Sequence, residues 1–209
     1  MAFLYLGFTA NTYNGSVTVP NTPPTVATVF VGDWFIIQKH VFDSSMTFNR
    51  TWHTFRIGLG DPGGSHYWFG SENLYRLTTS GNWKLRVEVQ SNDTFKWYSA
   101  EYQFFRLGNN ASAYILNVSG YTGDAGDAFN YYYAPWAAQG IKFSTFDNDN
   151  DLAPSNCALN AGGGWWWNYC SYSGLNAHMA TYNSWGTLPD IGVTTTRYVF
   201  RSRMMMKQN

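Results

Sequence analysis

"FSTFDNDNDLAPSNCALNAGGGWWWNYC", residues 143–170, decides how this chain is read. Asp147, Asp149 and Asp151 stand at every second position, interleaved with Asn148 and Asn150. Carboxylates so spaced converge only if the backbone curls into a loop. A hard cation such as Ca²⁺ takes roughly six to eight oxygens, and loops of this kind add main-chain carbonyls and water. The EF-hand pattern does not apply, because the places that need Gly and Glu hold Leu152 and Ala158. A solvated Asx-rich turn accounts for the same residues, so both readings stand at this point. Cys157 and Cys170, the only cysteines, are 13 positions apart and suit either one disulfide or two separate buried thiols.

Outward from this stretch, the 209 residues suit one large domain or two small ones. Lys plus Arg and Asp plus Glu number 13 each, so there is no basic field for nucleic acid or an acidic membrane. Charged residues make up 12% and aromatic residues 19%, a composition of extracellular β-rich modules and of surfaces that stack on sugars. No apolar run approaches the ~20 residues of a membrane span, and membrane insertion is not expected. The start, "MAFLYLGFTA", lacks a basic leader and a long apolar segment and reads as mature chain. Five Asn-x-Ser/Thr sequons, at Asn14, Asn49, Asn92, Asn110 and Asn117, fit secretion.

Periodicity places strands in residues 15–31 around a Pro-rich turn, in 33–42 and in 83–90, where Leu85, Val87 and Val89 share a face. "KWYSAEYQFFRL" and "SAYILNVSGY" read as a hairpin joined through "GNN". Short helices are expected within 48–60, stopped by Gly58 and Gly60, and over 70–79, with Leu74 and Leu77 on one side. Past residue 135 the chain is Gly-, Asn- and Trp-rich without periodicity, as functional or metal-stapled loops are. His40, His53 and His66 are isolated, "GLGDPGGSHYWFG" lacks a phosphate-loop Lys, and no catalytic triad pattern occurs; the chain is not read as an enzyme.

The order "FSTFDNDND…NCA…GGWWWNYC…LNA" strongly resembles the fibrinogen-related domain. "GDWFIIQKH", "FNRTW", "IGLGD", "YWFGSENLYRLT", "LRVEV", "AEYQFF" and "YILNVSGYTGDAGDAF" follow the same family order, so the likeness spans about residues 30–206. The resemblance implies an α+β fold: a fibrinogen C-terminal-like domain with a central antiparallel sheet, short helices and a loop-rich ligand-binding region. It is expected as one domain over 1–209, with a reduced β start (1–30), a central sheet (31–135) and a calcium and ligand region (136–209). It departs from the family in lacking the amino-terminal disulfide and the Cys before GGW, and in carrying Ala177 where LNG has Gly. By position, the family implies calcium held by Asp149 and Asp151 and by the carbonyls of Ala153 and Ser155, with Asp147 supporting the loop. It also implies a Cys157–Cys170 disulfide and a buried Trp165–Trp166 pair, with Trp167 either core or ligand-facing.

In lectin members the ligand pocket lies beside the second Cys, entered by a cis peptide bond that aims the Cys N–H at an acetamido group. The equivalents here are the Tyr169–Cys170 bond, Ser171 and Ala161 where the family often has His and Tyr, and Tyr182, ahead of Trp185, as the remaining aromatic wall beside Tyr169, with His178 nearby. The resemblance therefore implies a secreted, extracellular lectin for sialylated or N-acetylated glycans, most like sialic-acid (N-acetylneuraminic acid) lectins. The other reading is a protein-binding module of the fibrinogen or angiopoietin type without sugar specificity. A peptide-amine pocket of the fibrinogen kind is disfavoured, since no acidic residue follows Cys170 until Asp190. With no collagen-like or coiled-coil segment in these residues, a homodimer or higher homo-oligomer is expected.

Overall fold

The computed structural model describes residues 12–21, 25–42, 47–132, 134–179, 181–189 and 198–209. Its strands are β1 (Thr12–Val17), β2 (Val26–Val31), β3 (Trp34–Val41), β4 (Leu59–Gly60), β5 (Tyr67–Trp68), β6 (Trp83–Ser91), β7 (Trp97–Leu107), β8 (Leu116–Gly123) and β9 (Val199–Gln208). Among the described residues three α-helices, α1 (Trp52–Ile57), α2 (Ser71–Thr79) and α3 (Cys157–Ala161), and two 3-10 turns, Asn110–Ser112 and Ala134–Trp136, complete the regular elements. The sheet runs β1-β2-β3-β9-β6-β7-β8, with β5 on β3 and β4 on β5, and its pairings are antiparallel. The expected α+β fold with a central antiparallel sheet is what forms. No helix among the described residues is long and apolar enough to cross a membrane.

The strand in the middle comes from the far end of the chain. β9 pairs with β3 from Phe35↔Met206 to Val41↔Arg201, and with β6 from Trp83↔Gln208 to Ser91↔Val199. Sequence reading placed these residues in a loop-built region. The correction has a physical cause: Met204, Met205 and Met206 are all buried, and a strand covered on both faces shows a continuous apolar run rather than alternation.

Both expected helices form, shorter than their sequence windows. Thr51 caps α1, its hydroxyl accepting from the Thr54 N–H at 3.3 Å, and Gly58 ends it at φ 108°. α2 turns Leu74, Leu77 and Thr78 inward. Its Glu72 accepts from Arg76 Nε at 3.0 Å and from the Tyr114 hydroxyl at 2.8 Å, fastening the helix to a ring that is itself buried.

Burial alone would raise the Glu72 carboxyl, but the Tyr114 hydroxyl and the Arg76 guanidinium win, with Arg56 adding to them, and hold it below the ordinary 4.5. A depressed carboxyl contributes stability above its unfolded value and loses it as pH falls through the folded one. Glu72→Gln should therefore lower the unfolding free energy by about 1 kcal/mol at neutral pH. The difference should close in strong acid, where both states of the native chain's Glu72 carry the proton. Urea melts at the two pH values check both halves.

Candidate binding face

The tryptophan block forms the floor of this region. Trp165, Trp166 and Trp167 are each fully buried, and their indole N–H groups donate to Ser173 Oγ (3.4 Å), the Tyr114 carbonyl (2.9 Å) and the Gly163 carbonyl (2.9 Å). Trp167, for which either role was open, is thus core. Two glycines make the crossing possible. Gly162 ends α3 in the left-handed region at φ 68°, and a side chain at Gly163 would run into the Asn176 carbonyl. Cys157 at the start of α3 is disulfide-bonded to Cys170, with Cα atoms 5.1 Å apart.

Above the floor, the Asp/Asn stretch is folded on itself. Asn150 donates to the Phe143 carbonyl at 2.9 Å, and its own N–H donates to Ser144 Oγ at 3.0 Å. Asn156 caps α3 through the Leu159 N–H at 2.8 Å while its amide reaches the Phe146 carbonyl at 3.3 Å. Asp147 takes the first N–H of α1, from Trp52 at 2.9 Å, and the Thr145 hydroxyl at 2.7 Å. It therefore ties the loop to a distant helix, the supporting part expected of it.

Asp149 and Asp151 are arranged differently. Asp151 accepts the Ala153 N–H at 2.9 Å on one oxygen and the Cys157 N–H at 2.8 Å on the other, while Asp149 accepts the Asp151 N–H at 3.2 Å. Burial, and then the neighbouring Asp149 charge, push the Asp151 carboxyl above its ordinary range despite those two N–H groups. Two carboxylates held against each other are a donor set that a divalent cation would relieve, so these residues fit the expected ion. Among the described residues no three His, Cys, Asp or Glu side chains gather as a metal group, so main-chain carbonyls would have to complete the shell.

The expected acetamido pocket is not assembled as the resemblance implied. No peptide bond among the described residues is cis, so Tyr169–Cys170 is trans, and Cys170 and Ser171 instead take φ of 55° and 48°. Ser171 uses its hydroxyl inside this turn, donating to the Trp166 carbonyl and accepting the Asn168 N–H, both at 2.9 Å. Ala161 is fully buried, and its carbonyl accepts the N–H groups of His178 and Met179 at 3.0 Å each. Trp185 is also fully buried, its N–H on the Gly126 carbonyl at 3.1 Å and its ring against Phe129 at 5.0 Å. Neither can wall a ligand. Tyr182 is half-buried edge-on to Trp167 at 6.2 Å, and Tyr169 and His178 are exposed.

What the structure brings to the surface instead is apolar. Of the large hydrophobic side chains left exposed, Tyr132, Trp136, Phe146, Leu152, Leu159, Tyr169 and Met179 all belong to residues 131–179. Backbone bonds join most of their segments: Tyr169 N–H to the Pro135 carbonyl (2.8 Å), Tyr172 N–H to Trp136 (2.8 Å), Leu152 N–H to Asn168 (3.0 Å) and Met179 N–H to Ala161 (3.0 Å). Tyr131 stacks on Tyr172 at 3.9 Å and 16°, beside Tyr132 at 4.7 Å and Trp136 at 6.4 Å from Tyr172. Apart from Tyr169, sequence reasoning missed this set because isolated apolar residues in aperiodic loops look like core. The one available signal was "NYYYAPW", which crowds aromatics into a turn.

Comparison with known proteins fits this architecture. The family model for the C-terminal globular domain of fibrinogen beta and gamma chains matches residues 27–206. Protein scabrous of Drosophila melanogaster is 37% identical over 175 residues, which cover 84% of this chain and 20% of that protein. The first curated relatives are spanned over only 20%, 56% and 48% of their own lengths. Fibrinogen-like proteins and angiopoietins are among them. The fibrinogen-like globe domain of human ANGPTL2 superposes with a TM-score of 0.77 at 32% identity, covering 97% of this chain and 94% of that one. A lamprey fibrin D-dimer complexed with the peptide Gly-His-Arg-Pro-amide gives 0.76 at 26% identity, over 89% and 65%. The chain belongs to the family of fibrinogen C-terminal globular domains.

Proposed function

We propose that this chain is a secreted protein-recognition module whose 131–179 region takes an apolar segment of a partner protein. The observation that carries this reading is that seven large apolar side chains of this region are exposed on backbone tied by the Cys157–Cys170 disulfide and by hydrogen bonds. Monomeric surfaces seldom gather large apolar side chains without a partner to cover them. A rigid presentation lowers the entropy lost on docking. The angiopoietins among the relatives and the peptide complex among the structural neighbours support a protein or peptide partner. The disulfide fits an oxidising compartment. A sialic-acid pocket is less well supported, because Ala161 and Trp185 are buried and the Tyr169–Cys170 bond is trans.

Calcium belongs to the same reading, held by Asp149, Asp151 and the carbonyls of Ala153 and Ser155. It would neutralise the facing carboxylates and stiffen the loop that carries Leu152.

Two measurements test this. Leu159→Ala, Tyr169→Ala and Met179→Ala, screened against a panel of purified secreted proteins, should each weaken the partner's binding about tenfold, or ~1.4 kcal/mol, without shifting the melting temperature. Binding to a glycan array that free N-acetylneuraminic acid blocks, and that these substitutions leave intact, would contradict the protein reading. Added Ca²⁺ should raise the melting temperature. Asp149→Ala and Asp151→Ala should abolish that rise, and Asp147→Ala should lower stability while keeping most of it. Calorimetry without calcium heat at millimolar ion would leave the loop to its Asx hydrogen bonds alone.

A further inference from the structure

Along the sheet's main path the outer strands are β1 and β8: among the described residues β1 pairs only with β2 and β8 only with β7, while on the side branch the two-residue β4 pairs only with β5. Unpaired strand edges invite another chain, and proteins usually blunt them with charges, Pro or bulges. Here β1 reads TYNGSV and β8 reads LNVSGYTG, without one charged residue or proline between them. Residues 12–14 and 16 of β1 are exposed. β8 is covered at its start, where the Leu116 N–H meets the Ile141 carbonyl at 3.0 Å and the Val118 N–H meets Gln139 Oε1 at 2.6 Å, but Ser119, Gly120, Thr122 and Gly123 are exposed.

These two strands have something else in common. Of the nine strands among the described residues, β1 and β8 are the two that hold an Asn-x-Ser/Thr sequon, at Asn14-Gly15-Ser16 and Asn117-Val118-Ser119. The other three, at Asn49, Asn92 and Asn110, sit on exposed connections. Nine asparagines follow Asn117, yet none of them begins a sequon, so the stretch carrying the exposed apolar residues has no acceptor at all.

We propose that Asn14 and Asn117 carry N-linked glycans that shield the outer strands at the two ends of the sheet's main path, and that the glycan coat stops short of the 131–179 region. The inference rests on the secretory reading above. There, a lipid-linked oligosaccharide diphosphate supplies the sugar. The Asn Nδ2 forms a bond to the anomeric carbon and loses a proton, and the bond from that carbon to the diphosphate oxygen breaks. Nothing is oxidised or reduced. The glycosylated amide keeps one N–H, so Asn117 Nδ2, 3.5 Å from the Ile115 carbonyl, retains a hydrogen to donate.

The test is glycopeptide mapping of the full chain secreted from cultured animal cells, with enzymatic release in heavy water to mark each occupied Asn. Occupancy at Asn14 and Asn117 is expected. Occupancy at Asn49, Asn92 or Asn110 without those two overturns the proposal, and no occupancy anywhere overturns the secretory reading itself. Ser16→Ala with Ser119→Ala removes both sequons and keeps both asparagines. That variant, and wild type deglycosylated after folding, should aggregate several-fold faster than glycosylated wild type by light scattering. Unchanged aggregation in both overturns the shielding.

Discussion

One buried amide holds the loop region to the sheet. Gln38 on β3 is fully buried, and its Nε2 lies within hydrogen-bond reach of the Leu175 carbonyl (3.2 Å), Asn176 Oδ1 (3.1 Å) and Ser202 Oγ on β9 (3.1 Å). Asn176, also fully buried, passes the link on by donating to the Gly164 carbonyl at 3.1 Å. His40, two residues along β3, donates from Nδ1 to the same Leu175 carbonyl at 2.8 Å. The central strands, the "LNA" segment and the glycine-tryptophan block are thereby locked into one arrangement. Buried polar groups are costly unless every partner is present, so such a network tolerates one geometry and rejects neighbours of it.

The surface follows from that constraint. With Leu175 and Asn176 fixed, the chain returning past Gly163 must pass against the Asn176 carbonyl, which only glycine permits. The three indoles then face inward, each with its N–H occupied, and Tyr132, Trp136, Phe146, Leu152, Leu159, Tyr169 and Met179 of the covering loops are left outside. Asp147 fixes the other side by capping α1, and the disulfide closes the stretch between Cys157 and Cys170. A loop-rich region of this kind is rigid through hydrogen bonds rather than regular structure. That is how a recognition face can be built from aperiodic sequence.

Much of this was legible from residues alone. The Asp/Asn run, the paired cysteines and the "GGWWW" block carried the resemblance to the family, and the structure gives each a geometric job: capping, closure and close crossing. The strands with clean alternation, such as β6, were equally plain. β9 was not, since methionines buried on both faces leave no period to detect. The ligand pocket failed for a different reason. Carrying positions over from relatives assigns a place in the chain, but Ala161 and Trp185 point into the core here, and the turn at Cys170 and Ser171 uses left-handed residues rather than a cis bond. Which side chain faces water depends on packing partners distant in sequence.

The central claim is that the Gln38 amide, distant in sequence from the loops, sets the geometry of the recognition face. Hydrogen–deuterium exchange of Gln38→Leu against wild type tests it most directly. Leu removes the donor, strands the Asn176 oxygen and leaves the Leu175 carbonyl to His40 alone, so amides of Trp165 and Ala177 should exchange much faster while those of β6 and β7 stay protected. Equal protection of Trp165 and Ala177 in the two proteins would contradict the account.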